Sequence, residues 1–493
     1  MSRAHRLWPW LFASVLALGV RHLWAARFYQ FFWDEDNNIV IGWLLSKGWR
    51  LYADVFTHHL PVEYLPSALL AGLFGSRFVC FRAFMILLWA AVAALVYGLT
   101  RRWSAGRLQA VLFAGLGSWW LTYWFGHMML VESYWGYAVL LALVLIGGPL
   151  GEEPEPGRGR AAAAGLLLAL AASASLNALP ACLCLTLWPA CYSRWRAQWR
   201  WFAAGALGWS AAAALLCLGR VDWGLLYDQA VRFNFSVYAR YCGFGSPGYL
   251  LSGLDFGGPS QYFESLLKLA VWAWVGWQAL GRKYGRALWW LAFVLCLTAR
   301  REPVSQAVPF HSAGFFLVAT LLFCRELSSA WLKTAGRRGP RWALGLAAAA
   351  LLAPTWLASA ALVRPERLYP HGDPDYGAVL AAISRLTGPA ERIAVFPMAS
   401  RVYLESDRLP AVPNTCYLPW QSDWPSQRAA TLSALRSVPP AVVVLQRGPV
   451  WGVPWSSYAR DIDDWLAQAY RPVLLPGKKA EEPYSRLYLR KGR

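Results

Sequence analysis

Long apolar segments recur along the chain from Leu7 to Val363. A helix of roughly 20 apolar residues is long enough to cross the hydrocarbon core of a bilayer, which is about 30 Å thick. Hydrophobic residues make up 57% of the 493 residues and charged residues only 15%, whereas soluble domains carry about 25% charged residues. The sequence therefore predicts an α-helical protein that crosses a membrane many times.

The apolar segments predict about eleven transmembrane helices. They lie at residues 7–27, 79–99, 108–125, 130–147, 161–177, 179–192, 201–219, 263–281, 286–299, 307–324 and 342–362. A single helix over 161–192 would be about 48 Å long at about 1.5 Å per residue, which is too long for one crossing. Asn177 and Pro180 are therefore predicted to divide this stretch into two helices.

Arginine and lysine residues cluster in loops that share one side of the membrane under this topology. Loops rich in these residues stay on the cytoplasmic side, so the segments 28–78, 220–262 and 363–493 are predicted to face outward. The net charge of +20 falls in short clusters between apolar runs. Because that distribution is typical of a topology signal, we predict no nucleic-acid partner.

The composition changes at Arg364, after which proline and charged residues become frequent and no segment is long enough to span a bilayer. We therefore divide the chain into a transmembrane domain, 1–363, and an outward-facing soluble domain, 364–493. In the soluble domain, Asp373 and Pro374 are predicted to start a helix that ends near Leu386. Buried strands are predicted at 392–396, 441–445 and 486–490. The pattern predicts a small α/β domain.

The first outward loop, 28–78, carries most of the chemically interesting residues. Asp34, Glu35 and Asp36 follow directly after the first predicted helix. The apolar stretch Ile39–Leu45 is too short to span the membrane, which favours a helix lying along the interface. The loop continues with Gly48-Trp49-Arg50-Leu51-Tyr52-Ala53-Asp54 and Thr57-His58-His59-Leu60-Pro61-Val62-Glu63-Tyr64. Acidic residues are also typical of helix starts, so a structural interpretation of the acids stays open.

This loop resembles that of the GT-C glycosyltransferases in its acidic pair, its interfacial helix, its G-x-x-L-Y-x-D motif and its proline followed by tyrosine. The resemblance is to glycosyltransferase family 39 and its bacterial relatives, which include protein O-mannosyltransferases and lipid A aminoarabinose transferases. It implies inverting transfer of a sugar from a polyprenyl-phosphate carrier to a hydroxyl of a glycan, lipid or protein acceptor. It also implies a bacterial inner-membrane protein whose active site and C-terminal domain face the periplasm.

The resemblance places the acidic pair of the family on Asp34 and Glu35. In the family the first acid of the pair is the catalytic one, so Asp34 is the candidate general base and Glu35 is expected to support it. A carboxylate near the acceptor hydroxyl can take its proton when partial burial raises the carboxyl pKa. A phosphate leaves readily, so no carboxylic acid is needed to protonate it, in contrast to glycoside hydrolysis.

The leaving phosphate needs positive charge instead. Candidates for binding it are His58, His59, Arg300, Arg301 and His311. The aminoarabinose-transferring relatives carry a lysine before the prolines of this loop, where this sequence has two histidines, and a neutral histidine is a poor substitute unless its pKa is raised. The alternative interpretation of the two arginines is that they snorkel to the outer interface.

Glu132 lies near the outer start of the fourth predicted helix, where an ionisable group is costly unless it has a function. It is a candidate to orient the acceptor or to hold a divalent cation with Asp34, and a simple interfacial position is the alternative. The acids and histidines lack the spacing of an HExxH site, so we assign no metal site and require no cofactor, although a divalent cation is compatible with these residues. The aromatic residues of 220–262 suit either sugar stacking or an interfacial belt.

Two other functions stay open. A lipid-linked glycan flippase or transporter would ordinarily carry charged or helix-breaking residues at mid-membrane and paired repeats, whereas the acids here gather at the outer ends of helices. An oligosaccharide ligase would be favoured by an arginine-rich outward loop, and only Arg232 and Arg240 are obvious in 220–262. Glycosyl transfer is the predicted function, with the C-terminal domain recognising the acceptor or covering the active site.

Overall fold

A computed structural model describes residues 3–27, 33–103, 105–121, 126–150, 157–191, 193–244, 254, 259–298, 301–303, 309–334, 376–446, 448–475 and 486–492. The first part of the chain is helical. Its longer helices are α1 (Arg3–Ala25), α2 (Trp33–Ser46), α3 (Leu65–Phe74), α4 (Phe78–Thr100), α5 (Gly106–Trp120), α6 (Val131–Ile146), α7 (Arg158–Ala174), α8 (Leu179–Cys191), α9 (Trp199–Cys217), α10 (Pro259–Leu280), α11 (Tyr284–Thr298) and α12 (Ala313–Lys333).

Short helical turns connect several of these helices. They lie at Pro61–Tyr64, Gly148–Leu150, Leu176–Ala178, Ser193–Arg196, Trp223–Leu226, Tyr227–Arg232, Asn234–Tyr238, Ala239–Tyr241 and Pro309–Ser312. A small antiparallel ribbon pairs β1 (Cys242–Phe244) with β2 (Arg301–Pro303). The ribbon links residues 220–262, called the second outward loop because they are the second segment predicted to face outward, to the segment that precedes α12.

Most predicted helices have a counterpart in the structure, including the two predicted for 161–192. Ser175 adopts an extended backbone between α7 and α8, and Leu176–Ala178 forms a separate turn, so the predicted break is confirmed. The tenth predicted helix, 307–324, corresponds to α12, which begins later than predicted, at Ala313, and ends later, at Lys333. Helix α3 was not predicted at all, and the helix predicted at 342–362 lies outside the described residues.

Two of the helices in the described part of the chain are long and apolar enough to cross a bilayer on length and composition alone, namely α4 and α12. Other apolar helices, such as α6 and α11, are shorter. The number of eleven crossings therefore stays a prediction.

Helix α2 packs closely against α3 because Gly42 has no side chain. A Cβ atom at Gly42 would lie 2.7 Å from the backbone nitrogen of Ala68, closer than nonbonded atoms can approach without moving the backbone. This close packing holds the acidic first turn of α2 at a fixed distance from the loop that precedes α3.

The remaining described residues, 376–446, 448–475 and 486–492, form a C-terminal α/β unit. Its strands are β3 (Ile393–Phe396), β4 (Val442–Leu445), β5 (Tyr470–Val473) and β6 (Arg486–Arg490), and its longer helices are α13 (Tyr376–Leu386), α14 (Arg401–Ser406), α15 (Pro425–Ser437) and α16 (Arg460–Ala469). Two short helices lie at Pro419–Ser422 and Trp455–Tyr458. The strand order is β3-β4-β6-β5, with β3 and β4 parallel and the other pairs antiparallel. The three predicted strands are confirmed, and β5 was missed.

The alternation of side chains along these strands gives the sheet two buried faces. Ile393 and Val395 belong to the same continuous core as the first helices. Ala394 and Phe396 point the other way, into a second core shared with α16. The C-terminal unit thus packs directly on the helical part through one face of its sheet, where α14 contacts α2.

Candidate active site

Five of the residues predicted from the sequence line one cavity of ≈ 80 Å³. These five are Asp34, His58, His59, Glu132 and His311. The rest of the lining is Trp33, Asn37, Glu63, Tyr64, Leu130, Val131, Tyr238, Met398, Cys416, Leu418, Trp420 and Trp451. The cavity therefore lies where the first loop, the start of α6, the segment before α12 and the C-terminal unit meet.

Asp34 lies in the first turn of α2, and its exposed surface faces the cavity. Protein atoms surround the carboxyl on its other sides, and this loss of bulk water raises its pKa to about 7, because burial disfavours the charged form. His311 and His59 lower the pKa, whereas Glu132 and Glu63 raise it. Near neutral pH the group therefore exchanges a proton readily, as a general base must.

His59 forms an ion pair with a residue to which the sequence had given no role. Its Nδ1 lies 3.0 Å from Glu63 Oε2, and Asn38 Nδ2 donates a 3.0 Å hydrogen bond to Glu63 Oε1. Burial alone lowers the pKa of His59, but Glu63, Glu132 and Asp34 outweigh it and raise the pKa to about 9. His59 is therefore a cation at neutral pH. The four-residue spacing of His59 and Glu63 was the available signal.

His58 has the opposite character. Burial and the neighbouring charge of His59 hold the pKa of His58 well below its usual range, so the ring is neutral. It packs against Tyr238 with ring centroids 4.8 Å apart. A neutral ring supplies no charge to a phosphate, so the structure does not support the predicted role of His58 in binding the phosphate by charge.

Residues of both outward loops hold the two histidines in place through hydrogen bonds. Tyr52, whose φ of +70° is uncommon for a residue with a side chain, donates a 2.7 Å hydrogen bond from its hydroxyl to the His59 carbonyl. Asn234 Nδ2 donates to the His58 carbonyl over 2.6 Å, and Gln229 Nε2 donates to the Tyr52 carbonyl over 2.7 Å. The start of the second outward loop thus fixes the first loop beside Asp34.

Glu132 and His311 form a second acid–imidazole pair in the lining of the same cavity. Their Oε1 and Nδ1 atoms are 3.3 Å apart. Glu132 lies in the first turn of α6, and His311 lies in the turn before α12. The sequence had suggested each residue singly, and the fold brings both to the cavity that Asp34 lines.

Glu35 is the clearest correction to the sequence-based site. It is fully buried, does not line the cavity, and accepts hydrogen bonds from Arg82 Nη2 at 2.5 Å and Nε at 3.1 Å. The backbone N–H of Met129 donates a third, 3.0 Å bond to it. Successive helical residues point about 100° apart, which turns Glu35 toward α4 while Asp34 faces the cavity. We therefore assign Glu35 to positioning α2 rather than to catalysis.

Arg300 and Arg301 are the two arginines predicted to bind phosphate. Arg300 lies outside the described residues, and Arg301 enters the description only as the first backbone position of β2. Their phosphate-binding role stays a prediction. Within the described ranges, no three His, Cys, Asp or Glu side chains are arranged to hold a metal ion, and the divalent cation stays an untested expectation.

The C-terminal unit closes the cavity on one side. The hydroxyl of Thr415 donates to the Asn37 side chain of α2, and the backbone N–H of Phe56 donates to the Pro413 carbonyl over 2.9 Å. These bonds fix the 413–420 segment of the unit over the first loop, and residues of this segment line the cavity. The sequence predicted that the C-terminal domain recognises the acceptor or covers the active site, but it did not indicate which residues would do so.

A second, larger cavity of ≈ 700 Å³ lies next to the first. The lining of this second cavity, called the apolar groove, is almost wholly apolar. It comes mainly from α3, α4, α6, α7 and α9, together with the end of α2, the turn Pro61–Tyr64 and Arg220. The lining residues are Leu45, Ser46, Val62, Leu65, Pro66, Ala68, Leu69, Leu70, Gly72, Leu73, Phe84, Leu88, Val92, Tyr134, Tyr137, Ala138, Leu141, Leu167, Leu170, Ala174, Trp209, Leu216 and Arg220. The turn Pro61–Tyr64 separates the two cavities, since Val62 lines this apolar groove and Glu63 lines the polar cavity.

Solved structures share this architecture over nearly the whole chain. ArnT from Cupriavidus metallidurans bound to undecaprenyl phosphate matches with a TM-score of 0.57 at 15% identity, covering 98% of this chain and 97% of that one. The oligosaccharyltransferase AglB from Archaeoglobus fulgidus, in complex with an inhibitory peptide and a dolichol-phosphate, matches with a TM-score of 0.52 at 12% identity, covering 96% and 73%. These matches confirm the predicted GT-C fold. No protein-family model matches the sequence, and no curated protein matches it.

Proposed function

We propose that this chain is a membrane glycosyltransferase that moves a sugar, with inversion, from a polyprenyl-phosphate donor to an acceptor hydroxyl on the outer face of a bacterial inner membrane. The observation that carries the proposal is that a candidate base, Asp34, and a candidate cation, His59, line the same cavity. Asp34 has a pKa of about 7, as a general base near neutral pH requires. His59 has a pKa of about 9 and supplies the positive charge that a phosphate leaving group requires.

In the proposed reaction the acceptor oxygen attacks the anomeric carbon of the donor sugar. Asp34 takes the proton of the acceptor hydroxyl as the new carbon–oxygen bond forms. The bond between the anomeric carbon and the phosphate oxygen breaks, and its electron pair leaves with polyprenyl phosphate. Protonated His59 stabilises the developing charge on that phosphate. Glu63 keeps His59 protonated. Glu132 and His311 line the same cavity.

The apolar groove supports a lipid-linked donor. The groove has a volume of ≈ 700 Å³ and is lined by Val62, so an isoprenoid chain bound in it would lie next to the loop that carries His59. Each methylene removed from water contributes about 0.8 kcal/mol to binding. The two structural neighbours were solved with undecaprenyl phosphate and with a dolichol-phosphate, which are ligands of this chemical class.

The proposal is tested with the purified protein in detergent or liposomes. Polyprenyl phosphates loaded with different sugars are supplied with and without candidate acceptors, and the released carrier phosphate and the glycosylated acceptor are measured together. We expect release that depends on the acceptor. Movement of intact donor across a liposome membrane without release would instead establish the transporter alternative.

A bell-shaped pH dependence of kcat/KM is expected. Asp34 must be ionised to accept a proton, so the rate rises as the pH increases through its pKa of about 7. His59 must be protonated to attract phosphate, so the rate falls as the pH increases through about 9. The two limbs belong to an interacting set of groups rather than to isolated residues. His59→Gln should remove the alkaline limb, and a profile that retains it would contradict the role of His59.

Filling the apolar groove should weaken binding of long donors only. Ala68 lines the groove on α3, so Ala68→Phe is expected to raise the KM for a long-chain polyprenyl donor about tenfold by displacing one to two isoprenoid methylenes. The KM for a donor with a single isoprenoid unit should change little. Ala68→Ser is the matched control. An equal rise in KM for both donors would show that the lipid chain does not bind in this groove.

A further inference from the structure

Four aromatic side chains of the cavity form a connected surface that the reaction described above does not use. We call Trp33, Tyr238, Trp420 and Trp451 the aromatic wall. The ring centroids of Trp420 and Trp451 are 4.4 Å apart, those of Tyr238 and Trp420 are 5.3 Å apart, and those of Trp33 and Trp451 are 6.0 Å apart. The wall thus joins α2, the second outward loop and the C-terminal unit.

Trp451 occupies an unfavourable backbone position. The N–H groups of Val450 and Val453 each donate a 2.9 Å hydrogen bond to the carbonyl of the other residue, so Trp451 and Gly452 are the two central residues of a tight hairpin turn. Their φ angles are +50° and +78°. Such turns favour Asn-Gly or Asp-Gly, and positive φ is rare for a bulky residue. Strained residues of this kind concentrate at binding sites.

Trp420 supplies a second, independent observation. Only 2% of this residue is exposed, and its indole N–H has no hydrogen-bond partner among the described residues. A buried donor without a partner is rare, because leaving it unpaired is costly. Since Trp420 lines the cavity, a bound ligand with hydroxyl groups can supply the missing acceptor.

We infer that the aromatic wall binds a sugar ring of the acceptor, and that the acceptor of this enzyme is therefore a carbohydrate. The inference rests on the proposed glycosyl transfer. A sugar ring presents apolar C–H groups on its faces and hydroxyl groups at its rim. Aromatic residues with a polar handle match both, because the ring packs on the face and the N–H or O–H group bonds to a hydroxyl.

The position of the wall assigns it to the acceptor rather than to the donor. The donor's lipid and phosphate belong beside Pro61–Tyr64, where the apolar groove and His59 meet. Trp420 and Trp451 belong to the C-terminal unit, which covers the polar cavity. The acceptor hydroxyl approaches Asp34 from this side.

The cavity must widen when the acceptor binds. Its ≈ 80 Å³ is well below the roughly 300 Å³ at which small-molecule pockets begin. The tip of a two-residue hairpin can move with little change elsewhere, and Trp451 stands at such a tip. Sugar binding then replaces contacts within the wall by contacts to the ring.

The test compares steady-state kinetics of Trp451→Ala, Trp451→Phe and Trp420→Phe with those of wild type, using simple methyl hexosides and a serine-containing peptide as competing acceptors. We expect wild type to use the hexosides in preference to the peptide. Trp451→Ala should raise the acceptor KM about tenfold. Trp451→Phe should have an acceptor KM close to that of wild type, and the donor KM should stay within twofold in both variants. Trp420→Phe keeps the ring but removes the N–H, and should also raise the acceptor KM.

Trp465→Ala is the matched control. Trp465 is partly buried, packs against the second core of the same unit and does not line the cavity. It should lower stability without raising the acceptor KM. Preference for the peptide, an unchanged acceptor KM in Trp451→Ala, or a rise confined to the donor KM would overturn the inference. Failure of wild type to release carrier with any acceptor would instead overturn the proposed function, so the two results are distinguishable.

Discussion

Asp34→Asn is expected to lower kcat by about 10²–10⁴-fold, the usual contribution of a positioned general base. The substitution keeps the size and shape of the side chain but removes its ability to take a proton. Donor binding should change little, because the proposed contacts of the phosphate and the lipid are with His59 and the apolar groove. The measurement is single-turnover release of polyprenyl phosphate with donor and acceptor both saturating.

Asp36→Asn is the matched control for this experiment. Asp36 lies two residues further along the same helix, is buried, and does not line the cavity. Burial raises its pKa well above its usual range, although Arg401 opposes the shift. Burial thus favours the uncharged form of the carboxyl, which an amide resembles in charge and shape. We expect near-normal turnover from Asp36→Asn. Normal turnover from Asp34→Asn would remove Asp34 from the mechanism and leave Glu132 as the remaining candidate base.

Arg82→Ala should lower the free energy of unfolding by about 3–5 kcal/mol, the usual loss when one partner of a buried ion pair is removed. Only 2% of the Arg82 side chain and none of the Glu35 side chain is exposed, so the substitution leaves Glu35 as an unpaired buried acid. Arg82 also donates a 2.5 Å hydrogen bond to the Arg27 carbonyl, which would be lost. The decrease should appear as a lower midpoint of thermal unfolding in detergent.

The double variant Glu35→Leu with Arg82→Met separates the charge from the packing. Removing both charges should recover most of the lost stability, because well-packed apolar residues replace buried ion pairs at little cost. If the double variant folds as stably as wild type but is inactive, Glu35 contributes to catalysis directly, against its assignment here as a positioning residue. A wild-type unfolding midpoint in Arg82→Ala would show that the pair does not anchor α2.

The helices and strands followed from patterns that a sequence displays directly. Apolar length predicted α4 and α12, Asn177 and Pro180 predicted the break before α8, and short apolar runs predicted β3 and β4. Helix α3 was not predicted because its 10 residues, although mostly apolar, are too few to span a bilayer and lie within the loop 28–78.

The site was only partly predictable, because its chemistry depends on distances between remote segments. Asp34 could be identified from its motif, but nothing in the motif shows that Glu35 turns toward Arg82. Two adjacent histidines look alike in sequence, yet Glu63 makes His59 a cation while burial keeps His58 neutral. The contribution of Trp451 depends on a hairpin turn in which tryptophan is an unexpected residue.

The distribution of the site along the chain has a consequence for biosynthesis. Trp420 and Trp451 follow Asp34, and all the helices α1–α12, in the sequence, so they are synthesised after them. Until the C-terminal unit has folded onto the helical part, the side of the cavity that Trp420 and Trp451 line is missing, and Asp34 is open to water. Under the proposed function, the chain therefore gains activity only after its C-terminal unit has folded.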